Sequence, residues 1–360
     1  SPAAVHRRGI IPRQFERQAD MKVLLTGADG YIGVRMGHYL LERGHDVTGM
    51  DSGFHRVGWL YDAGERRPET FTKDTRDLTL EDLQGYEAVV HLAEVSNDPV
   101  GELNGDVTYK INHEGSLRLA KLAKEAGVER FVHMSSCSVY GAAGERPSKE
   151  GDPVGGLTAY AKCKVLIEES VAPLADDNFS PTFMRNATAY GASPRQRFDL
   201  VVNDLAASAF LTSEIRMASD GTPWRPFVHI LDISHAVACI LDAPRDVIHN
   251  EIFNVGNDRS NYQVKEVAEI ISDLIPGCTL VFGDSSADKR NYRADFTKIH
   301  EQLPGFECAW DVERGAKELL DIFAKIGFTE DLYEFRGHTR IKQIKHLLGT
   351  QQIDDDFFWL

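Results

Sequence analysis

Cysteine is scarce: the 360 residues hold five (Cys137, Cys163, Cys239, Cys278 and Cys308), an odd number with no Cys-x-x-Cys pair. A disulfide framework and a zinc ribbon are thereby excluded, no metal is expected, and a reducing cytoplasm fits. Long apolar runs are missing too, none approaching the roughly 18–20 residues of a membrane span. Positive charge is in deficit, with Lys+Arg 40 against Asp+Glu 55 and a net charge of −15. No basic patch offsets it, so neither nucleic acid nor a membrane surface is expected as a partner. Internal repeats and low-complexity tracts are also absent.

What is present is a globular balance of 42% hydrophobic and 26% charged residues, enough apolar material for a core, in a length that allows two lobes or one large α/β unit. Ser1–Asp20 carries Arg7, Arg8, Arg13 and Arg17 but lacks the apolar stretch of a secretory signal. It is expected to be an extension before a natural start at Met21, either a loose arm or one that packs on a neighbouring subunit. From Met21 onward, short β-branched runs alternate with amphipathic stretches, the pattern of a parallel sheet covered by helices. Strands are predicted at Lys22–Thr26, His45–Met50, Ala88–Ala93, Arg130–Ser135 and Pro181–Met184. Helices are predicted at Tyr31–Glu42, stopping at Gly44, and at Asn112–Ala126, stopping at Gly127.

After Met184 the alternation weakens. A Gly/Ser/Pro/Arg loop (Gly191–Arg197) leads to a helix at Leu200–Leu211, followed by strands at Phe227–Leu231 and Ile252–Val255 and helices at Ile233–Leu241, Val264–Leu274 and Thr339–Leu348. The expected organisation is an α/β, Rossmann-type, doubly wound parallel sheet over 21–184, with 226–248 returning to it. A smaller substrate-binding lobe would comprise 185–225 and 249–330, and a helix and tail would occupy 331–360. The closing Phe357-Phe358-Trp359-Leu360 needs a surface to dock on, on its own domain or on a second subunit.

Thr26-Gly27-Ala28-Asp29-Gly30-Tyr31-Ile32-Gly33 follows the first strand and opens the first helix. In that context Gly27 permits the tight turn, Gly30 lets backbone approach a pyrophosphate at the helix N-terminus, and Gly33 lets helix pack close on strand. Asp51 ends the second strand, 18 residues beyond Gly33. There a carboxylate accepts both ribose hydroxyls and repels a 2′-phosphate, favouring NAD over NADP. Downstream, Tyr160 and Lys164 stand at i and i+4, on one helical face, where an ammonium lowers a phenol pKa that is otherwise about 10. The run Ser135-Ser136-Cys137-Ser138-Val139-Tyr140-Gly141 ends a strand and supplies a hydroxyl for that phenol.

Together the Gly-x-x-Gly-x-x-Gly spacing and these side chains resemble the extended short-chain dehydrogenase/reductases that act on nucleotide sugars, from Met21 to about Leu319. The resemblance implies bound NAD, a nucleotide-diphosphate sugar substrate and a homodimer. It implies Ser136, Tyr160 and Lys164 as the catalytic triad, with Tyr160 as acid/base. For the cofactor it implies Gly27, Gly30, Tyr31, Ile32, Gly33 and Asp51, then Asp74 and Thr75 at adenine, Leu92 and Ala93, Asn112, and again Tyr160 and Lys164. Glu94 orients the cofactor on this reading. Ser96, Asn97, Ser138, Asn186 and Thr188 would face the sugar. Arg225 and Arg290 would hold the substrate diphosphate, with Arg293 a rival to Arg290.

Within that family the 4,6-dehydratases carry Asp-Glu after the catalytic hydroxyl, where this chain has Cys137 and Ser138. Enzymes resembling GDP-fucose synthase place a cysteine immediately before the Val-Tyr pair, and here that slot is Ser138. Signatures of UDP-glucuronate decarboxylases are not evident. The Ser-Ser-x-x-Val-Tyr-Gly pattern is similar to the UDP-galactose 4-epimerase branch, which implies epimerisation at C4 through a transient 4-keto sugar. The alternatives are a ketoreductase of an NDP-4-keto-6-deoxysugar and a catalytically silent NAD-binding regulatory protein. Two departures bear on the sugar: Asn186-Ala187-Thr188 replaces an aromatic pair followed by Asn, and Pro226 rather than Asp follows Arg225.

Overall fold

The computed structural model describes residues 20–142, 144, 146–283 and 291–360. Its largest sheet has seven strands, β1 (Lys22–Thr26), β2 (Asp46–Asp51), β3 (Glu69–Thr72), β4 (Ala88–His91), β5 (Arg130–Ser136), β6 (Ser180–Asn186) and a strand at Glu251–Val255. The spatial order is Glu251–Val255, β6, β5, β4, β1, β2, β3, every neighbouring pair parallel. The order therefore reverses direction at β1/β4, the switch point where such sheets bind ligands beyond their strand ends.

Strand alternation sorts side chains onto two faces. Val23 and Leu25 of β1, Val90 of β4 and Val132 of β5 join one core. It includes helix α1 (Tyr31–Glu42) through Met36 and Leu40, and the helix at Ile230–Asp242 through Ile233, Val237 and Ile240. Leu24, Val89 and Phe131 join the other, under α2 (Ser116–Glu125) and α3 (Ala159–Val171), which contribute Leu119, Ala123, Ile167 and Val171. Each such fully buried aliphatic or aromatic side chain contributes about 1.5–3 kcal/mol.

Beyond β6 the chain forms β7 (Thr188–Tyr190), α4 (Val201–Thr212), β8 (Glu214–Arg216), β9 (Trp224–His229) and α5 (Ile230–Asp242). There follow β10 (the Glu251–Val255 strand), β11 (Asn261–Gln263), α6 (Val264–Asp273), β12 (Thr279–Val281), α7 (Val312–Ile326) and α8 (Arg340–Gly349). The order β11–β9–β7 makes a three-stranded sheet and β12–β8 a two-stranded one. A third core gathers α4, α6 and α7 through Ala206, Ile271 and Phe323. A fourth joins Ile344 and Leu347 of α8 to Val100, Val107, Ile111 and Phe357, so the C-terminal tail docks on its own chain.

Three sequence expectations need correction. β10 completes the large sheet beside β6 instead of belonging to the lobe assigned to 249–330, because Phe253 and Val255 bury in the first core. The predicted strand at Phe227–Leu231 ends at His229, whose side chain accepts the Leu231 amide and caps α5. The predicted helix from Asn112 opens as a π-helical stretch, Tyr109–Gly115, in which Asn112 is buried, before α2 begins. Among the described residues no helix is long and apolar enough to cross a membrane.

Candidate active site

A cavity of about 990 Å³ opens beyond the carboxyl ends of β1, β2, β4, β5 and β6. At one end lie Gly27, Gly30, Tyr31, Ile32, Gly33, Asp51, Asp74, Thr75, Leu92 and Ala93. Gly27 adopts φ +74°, and a Cβ there would meet Ala93 N and the Leu92 carbonyl carbon at 3.0 Å. At Gly33 a Cβ would fall 2.0 Å from Gly27 O, so α1 packs on the turn only with glycine at that position. No side chain caps the α1 N-terminus, which leaves its amide dipoles toward the cavity for an anion. Asp51 accepts the amides of Asp29 (3.1 Å) and Gly53 (2.8 Å). Burial raises its carboxyl pKa against those hydrogen bonds.

The glycine cradle, the carboxylate closing β2 and the depth of the pocket fit a dinucleotide. Asn112 is the exception among the expected cofactor residues. It is buried away from the cavity lining, and its amide holds the backbone of Val95 from both sides, accepting Val95 N at 2.7 Å and donating to Val95 O at 2.9 Å. Its role is to fix the loop after β4.

Ser136, Tyr160 and Lys164 meet at the middle of the cavity. The Ser136 hydroxyl acts on the Tyr160 phenol to lower its pKa and accepts the Ser138 amide at 3.1 Å, and Lys164 Nζ lies 5.3 Å from the Tyr160 ring centre. Thr158 caps α3 by accepting Ala161 N, and buried Glu168 anchors it by accepting Ser135 Oγ at 2.5 Å and pairing with Arg185 at 2.6 Å. The expected fall in the tyrosine pKa is reversed in this protein. Burial raises it more than Lys164 and Ser136 lower it, and the carboxylates of Glu94 and Asp98 add to the rise.

Lys164 also donates to the Met134 carbonyl and lies 2.9 Å from Glu94 Oε2. Burial works against the ammonium, but Glu94 and Tyr160 prevail and its pKa is raised. Two buried imidazoles flank Glu94, His91 at 3.9 Å and His133 at 3.5 Å. His91 is bonded to Thr26 Oγ1 and Ser116 Oγ, each at 2.7 Å. Burial, then Lys164, pushes His91 down to about 3 and His133 also down, so both are neutral near pH 7. His91, Glu94 and His133 converge closely enough to serve as metal ligands, but the Lys164 ammonium is already the cation among them.

On the other side of Tyr160 the cavity is lined by Ser96, Asn97, Ser138, Asn186, Thr188 and Arg225. Ser138 Oγ and Asn186 Oδ1 are buried and lack partners among the described residues. Asn97 also has a structural task, capping the short helix Asp98–Leu103 and donating to Asp199. Arg225 donates to the Trp224 carbonyl and lies over the Tyr292 ring. Arg290 falls outside the described residues. Its rival Arg293 stacks on Trp224 and does not line the cavity. Cys137 turns away from it as well, fully buried, its thiol donating to Arg185 O at 3.1 Å and its pKa pushed up by burial.

The wall also contains residues not anticipated from the sequence, among them Phe54, His55, Arg197, Asp199, Arg340 and Phe357. A signal existed for Arg197 in the basic run Arg195-Gln196-Arg197 of the loop after β7. For Arg340 and Phe357 only the amphipathic C-terminal helix and the aromatic tail gave a hint, without a direction.

Comparison with known proteins agrees with this arrangement. Residues 23–256 match the model of the "NAD dependent epimerase/dehydratase family". The chain is 26% identical over 341 residues to UDP-glucuronic acid decarboxylase 1 of Arabidopsis thaliana, covering 90% of this chain and 74% of that protein. It is 25% identical over 336 residues to UDP-glucose 4-epimerase of Erwinia amylovora, covering 83% of this chain and 96% of the relative. Among solved structures, MoeE5 in complex with UDP-glucuronic acid and NAD superposes with a TM-score of 0.73 at 26% identity, covering 84% of this chain and 99% of the other.

Proposed function

The chain belongs to the NAD-dependent epimerase/dehydratase family, whose members are enzymes of the extended short-chain dehydrogenase/reductase class with NAD as cofactor, and from that premise we propose that it epimerises a nucleotide-diphosphate sugar at C4 through a transient 4-keto intermediate. The observation that carries this reading is the pairing of a complete Ser136–Tyr160–Lys164 arrangement with the chemistry of positions 137 and 138. Dehydration requires a carboxylic acid beside the triad at those positions to protonate the departing hydroxyl. In their place stand a thiol facing away from the cavity and a small hydroxyl.

Tyr160, steadied by Ser136, takes the proton from the C4 hydroxyl and returns it after the sugar has turned over. Lys164 supports the phenolate by charge and is itself fixed by Met134 O and Glu94. NAD held by the Gly27–Gly33 turn and Asp51 would supply a hydride acceptor and donor for C4 of the sugar. Ala187, Thr188 and Ala189 present small side chains to this part of the cavity, leaving room for the turn. Ser138 and Asn186 offer unpartnered oxygens to either sugar hydroxyl configuration. Arg225 is the arginine we assign to the substrate diphosphate. The same reading expects a homodimer in the cytoplasm, which light scattering and cell fractionation test.

The first experiment is the nicotinamide content of freshly purified protein after denaturation, followed by NMR of UDP-glucose and UDP-glucuronate incubated with it. Near-stoichiometric NAD and interconversion of C4 epimers are expected. A protein that arrives empty, binds NADPH reversibly and reduces a 4-keto-6-deoxysugar overturns the assignment in favour of a ketoreductase. Absence of turnover that is equal in the protein and in its Tyr160→Phe variant, with NAD bound in both, would leave only a regulatory role.

A further inference from the structure

Two arginines from distant parts of the chain line the cavity, each with one guanidinium nitrogen that no described residue satisfies. Arg197, in the loop before α4, is 6% exposed, and Arg340, the first residue of α8, is 3% exposed. Arg197 Nη2 and Arg340 Nη1 are buried without a hydrogen-bond partner among the described residues, Arg197 Nη1 donates to Ser96 Oγ at 3.4 Å, and both arginines line the cavity with Gly30, Tyr31 and Asp51. Burying a cationic donor unpaired costs far more than leaving it in water, so this arrangement fits a site built for an anion that arrives later. Asp199, a carboxylate shared between them, is already engaged by Arg197 Nε at 2.8 Å, the Arg340 amide at 3.1 Å and Asn97 Nδ2 at 2.8 Å. Burial and the neighbouring Arg197 push Arg340 down to about 9, the signature of a cation short of counter-charge.

The position of the pair selects which anion. Neighbouring Arg195 donates to the Asp29 carbonyl inside the glycine turn at 3.1 Å, and Asp51 is among the charges acting on Arg340. The tail that follows α8 is tied to the two loops bordering the same end. Trp359 Nε1 donates to Ser52 O at 2.7 Å, and Gln343 of α8 donates to Phe54 O at 2.9 Å. Arg76 donates to Asp356 O at 2.7 Å and stacks 3.6 Å from the Phe358 ring centre. Phe357, between these ties, lines the cavity together with Asp74 and Thr75.

We propose that the C-terminal segment Arg340–Trp359 completes the dinucleotide site, Arg340 and Arg197 forming a two-guanidinium cradle for the diphosphate of the cofactor while the tail straps the adenosine end shut. The inference rests on the family's use of NAD and on no choice of sugar reaction. Bidentate guanidinium–phosphate contacts at a helix N-terminus are strong and directional. A strap that must open before the cofactor leaves is also a means of retaining it through each cycle.

Binding to full-length protein stripped of nucleotide tests the cradle without any assay of turnover, by titrating NAD, ADP, adenosine and UDP into the parent and into Arg340→Met. Loss of one charge-assisted contact predicts NAD and ADP about 10- to 100-fold weaker, with adenosine and UDP unchanged within about twofold. Equal affinities of NAD for parent and variant overturn the proposal. So does weakening of UDP alone, which would hand the arginine to the diphosphate of the sugar nucleotide. Should Arg340→Met fail to fold, amide hydrogen exchange of the unaltered protein decides. At NAD ten times above its dissociation constant, exchange across 339–358 is expected to slow about tenfold, and unchanged exchange there overturns the strap. A chain that binds NAD as expected but epimerises nothing would sink the proposed reaction and leave this inference standing.

Discussion

Lys164 Nζ lies 2.9 Å from Glu94 Oε2, and both side chains are all but removed from solvent beneath the cavity floor. An ion pair at that depth costs heavily in desolvation and persists only where other groups hold it. Here the Met134 carbonyl and the phenol of Tyr160 share the same ammonium. Lys164 therefore divides its field between a phenol that must ionise to react and a carboxylate that is fixed in place. Glu94 opposes the phenolate directly, since its charge is among the causes raising the Tyr160 pKa.

Removing that charge has a signed consequence. In Glu94→Gln the phenolate loses a like charge nearby and regains a larger share of Lys164, so the tyrosine pKa falls. For a reaction in which Tyr160 acts as base, the acidic limb of the kcat/KM profile then moves to lower pH. Rate profiles of the parent and Glu94→Gln carried up to about pH 11–12, past the ordinary phenol value of about 10, check this. A limb that stays put would mean that Glu94 does no more than hold Lys164 in position.

Tyr160→Phe removes the proton carrier and keeps the ring. Turnover is expected to fall by about 10²–10⁴-fold, the range for loss of a general acid/base, while NAD content is unchanged. Ser136→Ala, which removes a hydroxyl that lowers the phenol pKa and caps the turn at Cys137–Tyr140, is expected to cost less than Tyr160→Phe. Single-turnover kinetics with bound nicotinamide followed at 340 nm, about the wavelength at which the reduced ring absorbs, separate loss of chemistry from loss of binding.

Much of the cofactor half was legible because its signals are local. β1 and α1 have the predicted bounds, since a buried apolar run, a glycine turn and a glycine stop at Gly44 (φ +89°) stand within a few residues of one another. The triad positions follow from the resemblance of the Ser135–Gly141 run and the Tyr160–Lys164 spacing to the family pattern, and the structure brings all three side chains to one cavity. β3 was not legible, because Glu69-Thr70-Phe71-Thr72 carries a single large apolar residue and sits at the sheet edge, where one face needs little covering. β10 is legible as a strand but its place beside β6 is not, since that pairing is decided across about sixty residues of intervening chain. Arg340 was invisible for the same reason: its meaning comes from folding α8 back over a turn formed near the start of the chain. Even Tyr160 was misjudged in one respect, because spacing reveals its lysine but not the depth at which the pair is buried.

Gly33 makes a stability prediction of a different kind. A methyl group there would stand 2.0 Å from Gly27 O and 2.9 Å from Ala28 Cα, and backbone cannot yield as a flexible side chain does. Gly33→Ala is expected to destabilise the fold by about 1–3 kcal/mol or more and to lower NAD affinity, since α1 must move off the turn that receives the cofactor. Urea unfolding with and without NAD measures both effects. Gly105→Ala is a suitable control, because no atom lies within 4 Å of the added carbon.

The last prediction concerns acid. Glu318 of α7 accepts the Ala192 amide at 3.0 Å and pairs with His229 Nε2 at 2.9 Å, across the junction of α7 with β7 and β9. Burial raises its pKa, but the bond to His229 and the Ala192 amide outweigh burial, and the folded value lies below the ordinary 4.5. A carboxyl depressed in the folded state contributes stability that is fully present above its unfolded pKa and is lost as pH falls through the folded one. The difference in melting temperature between the parent and Glu318→Gln should therefore be constant above about pH 5 and shrink as pH drops below about 4.5, toward nothing once both states bind the proton. His229 stacks on Trp310 at 3.9 Å and caps α5 through Nδ1, so its ring stays in place when Glu318 is replaced. The variant thus reports the carboxylate and not a collapse of the junction. A difference that instead widens on acidification would show that Glu318 is bound protonated, and would reverse the order of burial and hydrogen bonding argued for this pair.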